Sequence, residues 1–194
     1  MNRFRIRALA ASAILAASGY AGLAPSSAAG PAGFDPLDAD PAAIAVAVRM
    51  PDRLHLKTGD VTMRIAFESD DKSLEFDEKF ELELLSAEGR ASPEGSPGPG
   101  EQMQVARVAA ADRARLADTQ AKARAARGKG LGALDIALSG GCRLGELAPE
   151  HLRVSTYMRT QAQGEFFALA RDISLARALG VESTAYIPTC KSVP

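Results

Sequence analysis

Apolar and polar residues alternate over several short stretches of the chain, as they do in strands that bury one face. The clearest strand is predicted over 61–68, where one parity is wholly apolar: Val61, Met63, Ile65 and Phe67. The same pattern predicts strands over 44–50, 54–56, 74–84, 105–108, 134–138, 152–158 and 166–170. The chain is therefore expected to form mainly β-structure.

Two of these stretches depart from simple alternation. Glu78 falls on the apolar parity of 74–84, so we expect a turn or bulge near Asp77 and Glu78. Residues 166–170 are apolar on both parities, which is typical of a central strand that is covered on both faces.

One long helix is predicted over 109–127, between two of the strands. The segment is rich in Ala, Arg and Lys, lacks Gly and Pro, and is followed by Gly128. Leu116 is its only large apolar residue, so alanines are expected to make most of its contact with the core. These elements predict the α+β class: a mostly antiparallel β-sheet or sandwich with one long helix, about 109–127, inserted between strands.

The N-terminus has the three-part pattern of a secretory signal peptide. Arginines at positions 3, 5 and 7 precede an apolar run over 8–17 and then small residues up to Ala29. We expect cleavage after Ala29, which removes residues 1–29 and places the protein in the periplasm or outside the cell. The apolar run is about half the roughly twenty residues that a spanning helix needs, so no stable membrane anchor is expected after cleavage.

Composition divides the remaining chain into three parts. Residues 30–43 are rich in Gly, Pro, Ala and Asp and are expected to be an irregular N-terminal segment. Residues 44–194 are expected to form a single globular domain, since a chain of this length buries enough surface for one core. Within it, the Gly- and Pro-rich stretch 87–101 predicts a flexible loop.

Charge is nearly balanced overall but unevenly distributed. The 194 residues contain 23 Lys plus Arg and 24 Asp plus Glu, and loss of the three N-terminal arginines leaves a net charge of −4. Such a balance excludes a general attraction for nucleic acid, so no nucleic-acid partner is expected. Residues 68–88 carry a net charge of −7 and residues 107–129 one of +5. We interpret them as solvated faces or as an acidic strand beside a basic helix, with binding of an oppositely charged partner as the alternative.

Cys142 and Cys190 are the only cysteines, and both lie beyond the predicted cleavage point. Thiols of exported proteins tend to pair, so we expect one structural disulfide between them. The alternatives are a redox pair, which is usually spaced Cys-x-x-Cys, and a zinc site, for which only His55 and His151 are available as further ligands. No metal or cofactor is therefore predicted.

Short motifs do not assemble into a catalytic set. Residues 69–72 match Ser-x-x-Lys and residues 57–59 match Lys-Thr-Gly, two elements of penicillin-binding proteins and serine β-lactamases, but their order is reversed and the third element is missing. His151 and Ser139 lack the Gly-x-Ser-x-Gly context of a hydrolase nucleophile. No catalytic residue is assigned.

A candidate interaction surface is predicted on the strand over 152–158. Arg153, Tyr157 and Arg159 share one of its faces, and Tyr and Arg are the residue types that most often anchor protein interfaces. The alternative is that the basic helix or the acidic strand covers this face. The oligomeric state is not predicted.

The sequence favours a non-enzymatic accessory or binding module with a protein or envelope partner. The alternative is a small periplasmic hydrolase or transferase whose site is assembled only in the fold, from His151 and the acids between Glu68 and Glu83. The first should show an arginine and aromatic patch, and the second should show convergent titratable side chains.

Overall fold

A computed structural model of the chain describes residues 36–85, 97–148, 152–174 and 187–191, together with the backbone of 13–15. The predicted cleavage point, most of the predicted loop 87–101 and His151 lie outside the described residues. The last residues of that loop form a turn, in which the Glu101 amide donates to the Gly98 carbonyl at the start of a strand.

The strands occupy most of the described chain. They are β1 (Ala13–Leu15), β2 (Ala45–Pro51), β3 (Leu54–His55), β4 (Val61–Ser69), β5 (Glu75–Leu84), β6 (Glu101–Val108), β7 (Gly130–Leu138), β8 (Cys142–Arg143), β9 (Arg153–Arg159) and β10 (Phe167–Ser174). Helix α1 (Arg113–Ala125) lies between β6 and β7 and follows a 3-10 turn over Ala110–Asp112.

Eight strands form one antiparallel series in the order β1-β7-β4-β5-β6-β2-β9-β10, and β3 pairs with β8 apart from it. The α+β class and the mostly antiparallel sheet are confirmed, whereas the sandwich alternative is not confirmed. The helix is inserted where it was predicted but is shorter, because the 3-10 turn precedes it and Gly128 adopts a left-handed conformation soon after it ends.

The predicted bulge near Glu78 is wrong. The β4–β5 register runs without interruption from the Glu68–Glu75 pair to the Thr62–Glu81 pair. Glu78 stays on the apolar side of β5 because α1 packs there, and the Arg115 guanidinium meets its carboxylate at 2.7 Å. The same guanidinium stacks over the Phe80 ring, 4.0 Å from its centroid. The Arg115–Glu78 ion pair therefore lies over the edge of the core.

The prediction of a central strand over 166–170 is also wrong. Among the described strands, β10 is the last of the sheet, pairs with β9 alone, and shows register shifts between Ala168 and Ile173. Its residues are apolar on both parities because each of its faces packs against an apolar cluster. Phe167 packs against the inner core, and Ala168 packs against a second cluster on the outer face.

The main core lies on the inner face of the sheet. It takes side chains from strands at both ends of the series, such as Ile136 of β7 and Met158 of β9, so the sheet curls around one apolar cluster. The second, smaller cluster lies on the other face of the β6-β2-β9 part, and we call it the outer cluster. Its buried members are Ala45, Ala47, Met103, Val105, Tyr157 and Phe166.

Helix α1 packs on the inner side of the sheet through Leu116, which is fully buried in the main core. One turn later, the buried Gln120 amide donates hydrogen bonds to the carbonyls of Pro36 (2.7 Å) and Ala39 (3.0 Å). The helix therefore fixes the start of the described domain as well as the core. Within the residues that the structure covers, no helix is long and apolar enough to cross a membrane.

The predicted disulfide is present between Cys142 and Cys190, 48 residues apart. The backbone of Arg143 holds the same segment, since its amide donates to Pro188 and its carbonyl accepts from Cys190. Because both sulfurs are used in this bond, neither is available as a thiolate ligand or a free nucleophile.

Candidate functional site

The candidate surface on β9 is built from two neighbouring strands. In the antiparallel register of β2 and β9, Tyr157 lies opposite Ala47 and Arg159 lies opposite Ala45. The two alanines have small side chains, which leaves space on this face for the large side chains across from them. The alternation of Ala with Val over 44–48 thus serves two clusters, with valines in the main core and alanines in the outer cluster.

Arg49 of β2 adds a guanidinium to the same face. Its Cζ lies 5.8 Å from the centroid of the Tyr157 ring, within the range of a cation–π contact. Its nitrogens come only to 3.9 Å from the carboxylates of Glu101 and Asp172, and to 3.5 Å from the Ser155 hydroxyl. Hydrogen bonds of this kind are usually near 2.9 Å, so Arg49 keeps unused donor capacity.

Two further polar atoms of the face lack a hydrogen-bond partner in the part of the chain that the structure describes. They are the hydroxyl of Tyr157 and the Nε of Arg159, and both are buried. Arg159 stacks over Phe166, with its Cζ 5.0 Å from the ring centroid. The face therefore combines a phenol and two stacked guanidinium groups whose donors are incompletely used.

Arg153 lies at the exposed end of the strand and is already engaged. Its Nη1 donates to the carbonyl of Asp172 at 3.1 Å, and the Asp172 amide donates to the Ser155 hydroxyl at 3.0 Å. Asp172 has a positive φ of 50° within the irregular part of β10, and this bulge directs it back toward β9.

The three predicted surface residues, Arg153, Tyr157 and Arg159, share one face as expected, but Tyr157 is fully buried and does not project as an exposed anchor. Tyr157 is not covered by α1, because the helix packs on the opposite side of the sheet. Arg49 was not among the predicted surface residues, although the sequence carries a signal for it: it is the only charged residue in the apolar stretch 44–50.

Ser139 and the Lys-Thr-Gly match at 57–59 were the other motifs considered for catalysis, and the structure brings these two segments together. The Ser139 hydroxyl lies 3.3 Å from the carbonyl oxygens of Gly59 and Asp60. The buried Asp60 carboxylate accepts a hydrogen bond from the Lys57 backbone amide at 2.8 Å. These hydrogen bonds join two turns through backbone groups. The serine hydroxyl donates to carbonyls and is not paired with a side-chain base in the described residues, so the arrangement is that of a structural turn.

The Ser-x-x-Lys match forms the turn between β4 and β5. The Asp71 carboxylate accepts hydrogen bonds from the Ser73 hydroxyl, the Ser73 amide and the Ser69 hydroxyl, at 2.6, 3.0 and 2.7 Å. These bonds, those of Ser73 first, lower the pKa of Asp71 from 3.8 to about 2. Lys72 occupies a left-handed position with φ of 56° and is exposed, so the motif is a turn and not a nucleophile with its base.

The lowered pKa of Asp71 predicts a pH dependence of stability. A carboxyl whose pKa is lower in the folded state contributes stability above the unfolded pKa, near 3.8, and loses it as the pH falls through about 2. We expect Asp71→Asn to be less stable than the parent chain at pH 5, and the difference to shrink as the pH falls from 4 to 2. Urea unfolding across this range measures it, and a difference that does not change with pH would contradict the assignment.

The acidic and basic segments are partly neutralised against each other. Arg115 pairs with Glu78 at 2.7 Å, and Arg107 pairs with Glu83 at 3.6 Å. Arg124 and Arg127 of the basic segment both approach Asp38, at 3.6 and 3.5 Å. Of these contacts, the Arg115–Glu78 pair favours the interpretation of an acidic strand beside a basic helix, and such half-exposed pairs contribute little each.

No group of three His, Cys, Asp or Glu side chains suited to a metal ion occurs in the described ranges. Comparisons of the chain with family models, with curated proteins and with solved structures find no match. The outer face of β9 is thus interpreted from its own geometry.

Proposed function

We propose that this protein is an exported, non-enzymatic binding module that contacts its partner through the outer face of β9 and β2. The observation that supports this most directly is the buried Tyr157 hydroxyl, which has no hydrogen-bond partner among the described residues. The Tyr157 ring lies against Arg49, and Arg159 follows two positions later on the same face of β9. An unsatisfied buried hydroxyl costs about 1–3 kcal/mol. Native proteins rarely keep such a group, and a ligand that supplies the missing partner is a physical reason to keep it.

The chemistry of the face favours a carboxylate on the partner. The unused groups of Arg49 and Arg159 are N–H donors, and a phenol hydroxyl also donates readily to an anion. Among the described residues of this face, Arg49, Arg153 and Arg159 stand with two acids, Glu101 and Asp172, which leaves one net positive charge. The Arg107–Glu83 pair beside them adds no net charge. One net charge suits a singly charged carboxylate better than a doubly charged phosphate, which the two resident acids would repel. The partner is therefore a protein or another envelope component that presents a carboxylate.

Burial of Tyr157 has a kinetic consequence for binding. A partner first meets the exposed Arg153 and Asp172, and it reaches the hydroxyl only when the outer cluster opens. Association that requires such an opening is slower than encounter alone.

Tyr157→Phe tests the proposal because it removes only the hydroxyl oxygen. If that hydroxyl binds a carboxylate, the loss of a hydrogen bond to a charged group, about 1.5–3 kcal/mol, weakens binding about tenfold or more. The folded protein should be at least as stable as the parent chain, since the substitution removes an unsatisfied buried group. Alanine is unsuitable here, because it would open a cavity in the outer cluster.

The partner is to be captured from native cell envelope, identified by mass spectrometry and purified, and its Kd measured by calorimetry with the parent chain and with Tyr157→Phe. Lys79→Gln is the matched control, because it removes an exposed positive charge from β5, outside the candidate surface. Weaker binding by Tyr157→Phe alone supports the proposal. Capture of no partner, or equal affinity of Tyr157→Phe and the parent chain, would contradict it.

Export is tested separately from binding. The protein recovered from the cell envelope or medium should begin at Gly30, after loss of residues 1–29. Intact-mass measurement of the native protein identifies this N-terminus. Recovery of the full chain from the cytoplasm only would contradict the predicted signal peptide and leave the surface on β9 to be tested without it.

A further inference from the structure

The edge of the sheet formed by β7 is largely unpaired. On one side, β7 pairs with β4 along its whole length from Gly130 to Leu138. On the other side, β1 pairs only with residues 136–138. Residues 130–135 therefore have no strand partner on that side within the described residues, and they leave a row of backbone donors and acceptors open.

The sequence of this edge lacks the usual devices that prevent strand association. The stretch 130–138 contains no Lys, Arg or Pro, and its one charged residue, Asp135, is hydrogen-bonded to Arg64 at 2.8 Å. Leu131 is 62% exposed and is the one exposed large hydrophobic residue of the described chain. An edge that is long, apolar and free of charge repulsion readily accepts another strand.

We propose that β7 pairs antiparallel with β7 of a second copy, about a twofold axis at Leu134. Leu134 faces its own copy in this register, and every other large side chain of the edge lies opposite a small one. Leu138 faces Gly130 of the second copy, Ile136 faces Gly132 and Leu131 faces Ala137. Small residues opposite large ones let the side chains on both faces of a joined sheet fit together. Asp135 faces Ala133, and its own Arg64 already neutralises it, so no acid is left unpaired at the interface.

The pairing of β1 supports this register. Ala13, Ile14 and Leu15 lie opposite Leu138, Ala137 and Ile136. In the proposed dimer, residues 130–132 of the second copy run in the same direction and take the same three positions. β1 thus occupies the positions opposite residues 136–138 that residues 130–132 of the second copy would take, and the edge accepts a short antiparallel strand there.

β1 and the second copy's β7 compete for residues 136–138, so dimer formation depends on the N-terminal segment. With residues 13–15 in place, only part of the edge is free. Their removal, which rests on the proposed export, frees all nine positions of β7. In the strand order, β4, β5, β6 and β2 lie between β7 and β9, so the proposed dimer uses no strand of the proposed binding surface.

The first test measures molecular mass by sedimentation equilibrium over a dilution series. It uses the full chain with its disulfide formed and carrying Ile14→Asp, which opposes pairing of β1 by placing a charge in that strand. We expect a concentration-dependent mass that reaches twice the monomer value. Adding Leu131→Lys should restore the monomer, whereas Ala125→Lys, which adds the same charge at an exposed position of α1, should not.

The second test fixes the register. A cysteine in place of Leu134 meets its own copy across the twofold axis, within reach of a disulfide. A cysteine in place of Leu131 is six positions from its copy, about 20 Å along the strands, and cannot be bridged. Oxidation should cross-link Leu134→Cys and not Leu131→Cys on a non-reducing gel.

Three results would overturn the proposal: a monomeric Ile14→Asp chain at every concentration, a dimer that persists with Leu131→Lys, or cross-linking at 131 instead of 134. Circular dichroism melting curves of each variant show whether it is folded, so a failure to fold is recognised before the mass is interpreted. None of these readouts depends on a ligand at β9, so the dimer and the binding surface fail independently.

Discussion

Replacing both Cys142 and Cys190 by alanine is expected to lower the free energy of unfolding by about 4 kcal/mol, the chain-entropy value for a closed loop of roughly 49 residues. The unfolded chain gains conformations when the bond is absent. In the described residues, segment 187–191 is otherwise held by hydrogen bonds with Arg143 and by packing of Ile187 against the main core. Loss of the bond should therefore also release this segment.

Urea unfolding of the double variant and of the parent chain measures the effect. The parent chain in reducing agent serves as the control and should unfold at the same urea concentration as the double variant. A thiol assay of the exported, denatured and non-reduced protein should find no free thiol. Two titratable thiols, or equal stability of the oxidised and reduced protein, would show that the bond is not part of the native molecule.

Leu116→Ala is expected to destabilise the protein by about 3 kcal/mol, within the range measured for buried leucines. Leu116 is fully buried and is the only large apolar side chain with which α1 enters the main core. Its truncation leaves a cavity that the small neighbouring residues of the helix cannot fill. The hydrogen bonds of Gln120 with Pro36 and Ala39 are also expected to weaken, because they depend on the position of α1 against the core.

Leu131→Ala is the matched control, since it removes the same atoms from an exposed position. Its effect on the unfolding free energy of the monomer should stay within about 0.5 kcal/mol. Both variants are to be compared by urea unfolding at a dilution where the chain is monomeric. An equal loss in the two variants would mean that α1 does not depend on Leu116 for its packing.

Short-range sequence patterns predicted much of the secondary structure. The alternation over 61–68 predicted β4, and Gly128 marked the end of the helix region, because both signals depend only on neighbouring residues. Two cysteines beyond the predicted cleavage point were enough to predict their bond, since no other pairing exists within the molecule. The importance of Leu116 followed from its being the only large apolar residue of its helix.

The wrong predictions share a common cause. Glu78 suggested a bulge, and the stretch 166–170 suggested a central strand, because each was judged from its own segment. In the fold, Arg115 arrives from 37 positions away to pair with Glu78. β10 lies at the edge of the sheet and is nevertheless covered on both faces.

The sequence by itself determined the β-rich class, the inserted helix, the disulfide pair and the fact that Arg153, Tyr157 and Arg159 share a face. Only the tertiary structure decided that Tyr157 is buried, that Arg49 of β2 lies beside its ring, and that β7 carries the largely unpaired edge of the described sheet. Side-chain direction along a strand follows from a local two-residue period. Strand order depends on how all the apolar faces are buried together, and no single segment carries that information.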